Sequence, residues 1–134
     1  MKIYHLLSLV LLFGLSLFTA KAQNQNMSPE EKEKRILEYV DNRTQKLVTL
    51  LELEYWQEFY VDSTLNHDVH ALYEESEKLS AAKVENRDLY QALEDKWEQQ
   101  IDDSFKRFFT EEQWKKYMKS GAERAWKARQ KRKK

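Results

Sequence analysis

The sequence predicts an all-α protein, and three observations carry that prediction. Neither glycine nor proline occurs between Pro29 and Gly121, so the tight turns of a strand-rich fold have no residues to make them. Apolar residues recur there at intervals of three and four, the spacing of a single helical face. The β-branched residues are scattered and form no alternating run of the kind that fills strands. The expected architecture is a thin, antiparallel cradle or bundle of four helices, with residues 29–126 as the helical domain.

The elements follow in order. Lys2, the apolar run 6–18 and Ala20-Lys21-Ala22 read as a secretory signal covering residues 1–22. The run falls short of the roughly 20 residues that cross a bilayer, so an exported chain without a transmembrane segment is expected. Residues 23–28 form a polar, flexible leader. Ser28-Pro29-Glu30-Glu31 then starts the first helix, with serine as cap, proline at the first position and Glu31 reaching back. Its stripe is Ile36, Leu37, Val40, Leu47, Val48 and Leu51, with Thr44 in the gap.

A second helix begins near Glu54 and presents Trp56, Phe59, Tyr60, Ser63, Leu72, Tyr73 and Leu79. Residues 62–68, rich in side chains that compete for backbone hydrogen bonds, are expected to bend or break it. The third, from about residue 84 to 108, has the clearest amphipathic pattern in Tyr90, Leu93, Trp97, Ile101, Phe105 and Phe108. The fourth starts at Thr110, presents Trp114, Tyr117, Met118 and Ala125, and is kinked or ended by Gly121. Residues 127–134 read as a basic tail.

Charge is balanced only in sum. The chain has 23 basic and 23 acidic residues, yet residues 23–114 hold 11 basic against 22 acidic, while residues 115–134 hold 10 against one. The absence of cysteine excludes disulfides, thiolate metal sites and a thiol nucleophile. Residues 23–134 contain 14 aromatic side chains, many for a domain able to enclose only a small core. Some are therefore expected at the surface or in a dimer seam.

Two helix starts are built alike. In Phe109-Thr110-Glu111-Glu112-Gln113 the threonine can cap and the glutamine can return a bond, with Phe109 packing on Trp114 as a staple. Leu53-Glu54-Tyr55-Trp56-Gln57 has the same apolar residue four before glutamine, with Glu54 a poorer cap. The chain thus reads as two related helix-hairpin halves. These pentapeptides resemble the paired L-T-x-x-Q motifs of the Spy and CpxP family of bacterial periplasmic helical proteins, departing at Phe109 in one and Glu54 in the other. The resemblance spans roughly residues 30–125. It implies a periplasmic, homodimeric cradle that binds unfolding polypeptides without ATP or modulates envelope stress sensing. Leu53, Gln57, Phe109, Thr110 and Gln113 are its motif positions.

A surface that holds unfolding chains needs apolar rings beside charge. Trp56, Phe59, Tyr60, Trp114, Tyr117 and Trp126, with Lys115, Lys116, Arg124 and Lys127, are the candidates for client binding. A second reading is a metal sensor or buffer in which His67 and His70, one helical turn apart, join Glu74 on zinc or copper. A third is an adaptor that docks on anionic envelope components through its basic C-terminal helix; nucleic acid is not an expected partner of an exported chain. Enzymatic activity is not expected, because no nucleophile motif or phosphate-cradling glycine loop occurs, and paired carboxylates such as Asp102-Asp103 are common on solvated helices.

Overall fold

A computed structural model of the chain describes residues 27–134; the predicted signal and most of the leader lie outside the described residues. The fold is all-helical, and no strand occurs among the described residues. Helix α1 spans Pro29–Leu51, α2 Tyr55–Ala81, α3 Arg87–Phe108, α4 Glu111–Tyr117 and α5 Glu123–Arg132, the last two joined through a wide turn at Met118–Ala122. α4 and α5 are the predicted fourth helix, kinked where Gly121 adopts φ 121° and ψ −14°. Only glycine takes that conformation without steric cost.

Caps set the helix starts. The Ser28 hydroxyl accepts the Glu31 N–H at 3.2 Å, and Pro29 sits where a missing N–H costs nothing. α3 begins three residues later than expected, at Arg87, because the Asn86 side chain accepts the Asp88 N–H at 3.0 Å. α1 closes on Glu52 in the left-handed region, which turns the chain into α2.

α2 lies between α1 and α3 and runs antiparallel to both. Its start meets the end of α1 through Gln45 and Glu58 (3.1 Å), and its later turns meet the start of α1 through His70 with Glu33 and Glu77 with Lys32. Against α3, Tyr60 lies by Phe108, Asp68 by Gln100 and Glu75 by Lys96. The buried core joins Ile36, Val40, Leu47 and Leu51 of α1, Val61, Leu65 and Val69 of α2, Ile101 and Phe105 of α3, and Phe109 and Tyr117. Each such side chain contributes about 1.5–3 kcal/mol on leaving water.

Two expectations about α2 are corrected. It does not bend at residues 62–68 but runs unbroken for 27 residues. Packing on both flanks overrides the weak helical preference of Asp, Ser, Thr and Asn, and Asp68, the buried carboxylate of the stretch, takes an amide hydrogen from Gln100. The inward stripe is also different, formed by Gln57, Val61, Leu65, Asp68, Val69, Leu72 and Ser76. Trp56, Phe59 and Tyr60 face solvent. In α1, Thr44 is buried in the gap as expected, whereas Leu37 is exposed.

Candidate functional site

The two motif glutamines meet. At the start of α2 the Gln57 side-chain oxygen accepts the Glu54 N–H at 3.0 Å; at the start of α4 the Gln113 oxygen accepts the Thr110 N–H at 2.9 Å, and Thr110 Oγ1 accepts the Gln113 N–H at 3.1 Å. Each glutamine then reaches the other half. Gln57 Nε2 donates to Gln113 Oε1 (2.7 Å) and to the carbonyl of Phe108, the last residue of α3 (3.0 Å). Gln113 Nε2 donates to Gln57 Oε1 (3.1 Å) and to the carbonyl of Leu51, the last residue of α1 (3.3 Å). Both amides thereby fill two donor and two acceptor positions, and each half uses its glutamine to close the helix end of the other. Leu53 packs against the core beside this junction. Phe109 is buried on Phe105 (5.1 Å between ring centres) and Tyr117 (5.8 Å).

The first turns of α2 carry an exposed aromatic patch. Tyr55 is 92% exposed, Phe59 66%, Tyr60 52% and Trp56 48%. Tyr60 organises it, with ring-centre distances of 6.2 Å to Trp56, 5.7 Å to Phe59 and 5.8 Å to Phe108 of α3. The Trp56 indole N–H donates to the Glu54 carboxylate at 2.7 Å, so Glu54 orients a surface ring as well as standing at the cap position. Tyr55 and Phe108 belong to this patch though neither carries the motif. For Tyr55 the signal in the sequence was adjacency, five apolar or aromatic residues lying within residues 53–60; Phe108 joins them only through the packing of α3 on Tyr60.

The other candidates for client binding divide. Tyr117 is corrected: it is buried, and its hydroxyl donates to Asp102 at 2.5 Å. Burial, and then the Asp102 carboxylate, raise its pKa well above the usual phenolic value. Trp114 is half-buried against Tyr117, with the Lys106 ammonium over its ring at 5.7 Å. Trp126 is partly exposed, and Lys115, Lys116, Arg124 and Lys127 are exposed.

Residues 127–132 are no loose tail. Arg129 is buried and ion-paired with Asp102, while Arg132 grips Asp95 with two bonds of 2.7 Å. Asp102 therefore holds α4 through Tyr117 and α5 through Arg129. Its neighbour Asp103 is exposed and bonds Gln99, so the two carboxylates do not form a pair. Close by, Arg43 of α1 makes a bidentate pair with Glu98 of α3 at 2.9 and 3.0 Å. Glu94, on the same side of α3, has its pKa raised to about 7, first by burial and then by Glu98 and Asp95.

The histidines go to separate partners. His67 Nδ1 contacts Asp68 at 2.7 Å, and its ring lies edge-on to Trp97. His70 turns to Glu33 of α1 at 3.0 Å. Burial opposes a charge on His70, but the Asn66 carbonyl and Glu33 outweigh it and raise its pKa. The structure does not bring His67, His70 and Glu74 together, and no group of three His, Cys, Asp or Glu able to hold a metal ion occurs among the described residues. No helix among them is long and apolar enough to cross a membrane.

No family model, curated protein or solved structure matches the chain.

Proposed function

We propose that this chain is an exported polypeptide-binding protein, acting without ATP on unfolding chains in the bacterial periplasm, as its resemblance to the Spy and CpxP proteins implies. The observation that carries the reading is the patch of Tyr55, Trp56, Phe59 and Tyr60. Four neighbouring rings open to solvent lose burial energy that a protein without a partner would recover by turning them inward. Their residence on a rigid helix gives an apolar client a preformed surface, and Glu54, Glu58 and Asp62 keep that surface soluble. The meeting of Gln57 and Gln113 supports the family reading, since it gives both degenerate motifs one shared structural purpose. Pairing of two copies belongs to the same proposal.

The test is suppression of aggregation of an unrelated, thermally unfolding protein by near-stoichiometric amounts of the chain. The unmodified protein should delay light scattering, and a Phe59→Ser, Tyr60→Ser variant should lose most of that effect while keeping its helical circular dichroism. Equal suppression by both proteins, or none by the unmodified one, would overturn the reading.

A further inference from the structure

We propose that the outer face of α4 and α5 is a docking surface for an anionic lipid bilayer. It rests on a different face from the aromatic patch and does not depend on client binding.

The anchor of that face is Asp102. This one buried carboxylate holds Tyr117 of α4 and Arg129 of α5. Residues two positions apart on a helix point about 200° apart. Lys115 and Lys119 stand two positions either side of Tyr117; Lys127 and Lys131 stand two positions either side of Arg129. Fixing the two inward residues on α3 therefore aims four lysines at solvent, and all four are exposed. Arg124 is exposed beside them. The wide turn at Gly121 lets both helices reach the same carboxylate, joining their cationic faces into one surface.

The charges on that face are poorly compensated. Lys127 pairs with Glu123 at 3.1 Å, the only acidic residue in positions 115–134. Lys116 stands 3.8 Å from Glu52. Lys115, Lys119, Arg124 and Lys131 have no carboxylate at ion-pair distance among the described residues. Clustered, exposed and unbalanced cations raise the local potential and draw an anionic partner.

The identity of the cations selects the partner. Of the three arginines in this segment, Arg129 and Arg132 are turned inward onto Asp102 and Asp95. What remains outside is mostly lysine, a compact point charge without the planar fork that grips individual phosphates or base edges. Lysines spread along two helices suit a diffuse layer of anionic headgroups. Trp126, 39% exposed on α5, stands three positions before Arg129, about 60° from its inward direction, and so lies at the edge of this face. The contact is peripheral, because no helix among the described residues is long and apolar enough to cross a membrane.

The experiment is cosedimentation of the full chain with vesicles of phosphatidylglycerol in phosphatidylcholine, beside vesicles of phosphatidylcholine alone, which report any pull from the apolar run at residues 6–18. The chain should pellet with the anionic vesicles in excess of the neutral ones, and the excess should vanish as added salt shortens the screening length. A Lys119→Gln, Lys127→Gln, Lys131→Gln variant should lower the partition coefficient roughly tenfold or more with an unchanged melting curve. Equal binding to both vesicle types, or an unaffected triple variant, overturns the proposal. So does tighter capture by heparin or duplex DNA, which would assign the face to a soluble polyanion. Loss of self-association by the variant with vesicle binding intact would assign it to a second copy and overturn it equally.

Discussion

Set side by side, residues 56–61 and 112–117 occupy equivalent places in the two halves and carry opposite surfaces. Gln57 and Gln113 align, meet and cap alike. Two and three positions further on, the first half has Phe59 and Tyr60 and the second has Lys115 and Lys116, all four exposed. One more position on, Val61 and Tyr117 both turn inward. In both places the glutamine marks where a helix starts and the residue four positions on faces the core, while the outer sides differ. The first half has an aromatic, acidic face and the second a cationic one. Tyr117 turns inward where Asp102 accepts its hydroxyl, whereas the inward stripe behind Gln57 is mostly aliphatic and the rings of that turn stay outside.

Breaking the anchor of the second half should have the largest effect. Asp102→Ala strands a buried guanidinium and a buried phenol together, and removing one partner of a buried ion pair costs about 3–5 kcal/mol. Chemical denaturation should report that loss, with α5 becoming protease-sensitive first. A cost below about 1 kcal/mol would show that the inward turn of Tyr117 does not need its carboxylate.

The glutamine junction comes next and tests whether the halves are equivalent. Gln57→Leu and Gln113→Leu each leave two carbonyl or amide groups without a partner, at about 1–3 kcal/mol. Gln57, only 1% exposed, should cost more than the half-buried Gln113. Because the amides bond each other, the double variant should fall short of additivity by about 0.5–3 kcal/mol. Strict additivity would mean that the two halves merely abut.

How far the sequence foretold this arrangement depends on where the deciding contacts lie. The start of α1 was legible because Ser28 and Glu31 are local partners, and the core face of α3 because Trp97, Ile101 and Phe105 lie four apart with polar residues between them. Gln57 and Gln113 were singled out correctly as helix-start residues, but their meeting involves groups 56 residues apart that no local pattern encodes. The inward face of α2 was misjudged because size drew attention to its rings, while the true stripe includes Gln57, Asp68 and Ser76, polar residues that periodicity counts as surface. Arg129 was missed for the same reason: one buried arginine in a run of cations is identified only by the carboxylate opposite it.

Between about pH 4.5 and 7 a pH dependence should come from Glu94 in the second half, mostly below the range where the raised pKa of His70 in the first half acts. Glu94 holds its proton up to about pH 7 in the folded chain against an ordinary value of 4.5. Between those values the folded state binds more protons than the unfolded one, so this group's stabilising contribution is fully present below about pH 4.5 and is lost as pH rises to about 7. Allowing for solvent screening, about 1–2 kcal/mol should disappear across that window. Melting temperatures measured against pH should fall more steeply for the unmodified chain than for Glu94→Gln. Parallel curves would place the pH response elsewhere.

The smallest effect on stability should accompany the largest on function. Replacing Phe59 and Tyr60 by lysine copies the outer face of α4 onto α2. Neither ring is in the buried core, and the contact of Tyr60 with Phe108 is worth about 0.5–1.5 kcal/mol, so the melting temperature should move by only a few degrees. If the divergence of the two outer faces carries the function, that variant should no longer suppress aggregation of an unfolding protein. Its added positive charge should instead raise its affinity for anionic vesicles, since α2 would then carry a cationic patch of its own. A variant that keeps full suppression would separate client binding from the aromatic face and leave the difference between the halves without a functional meaning.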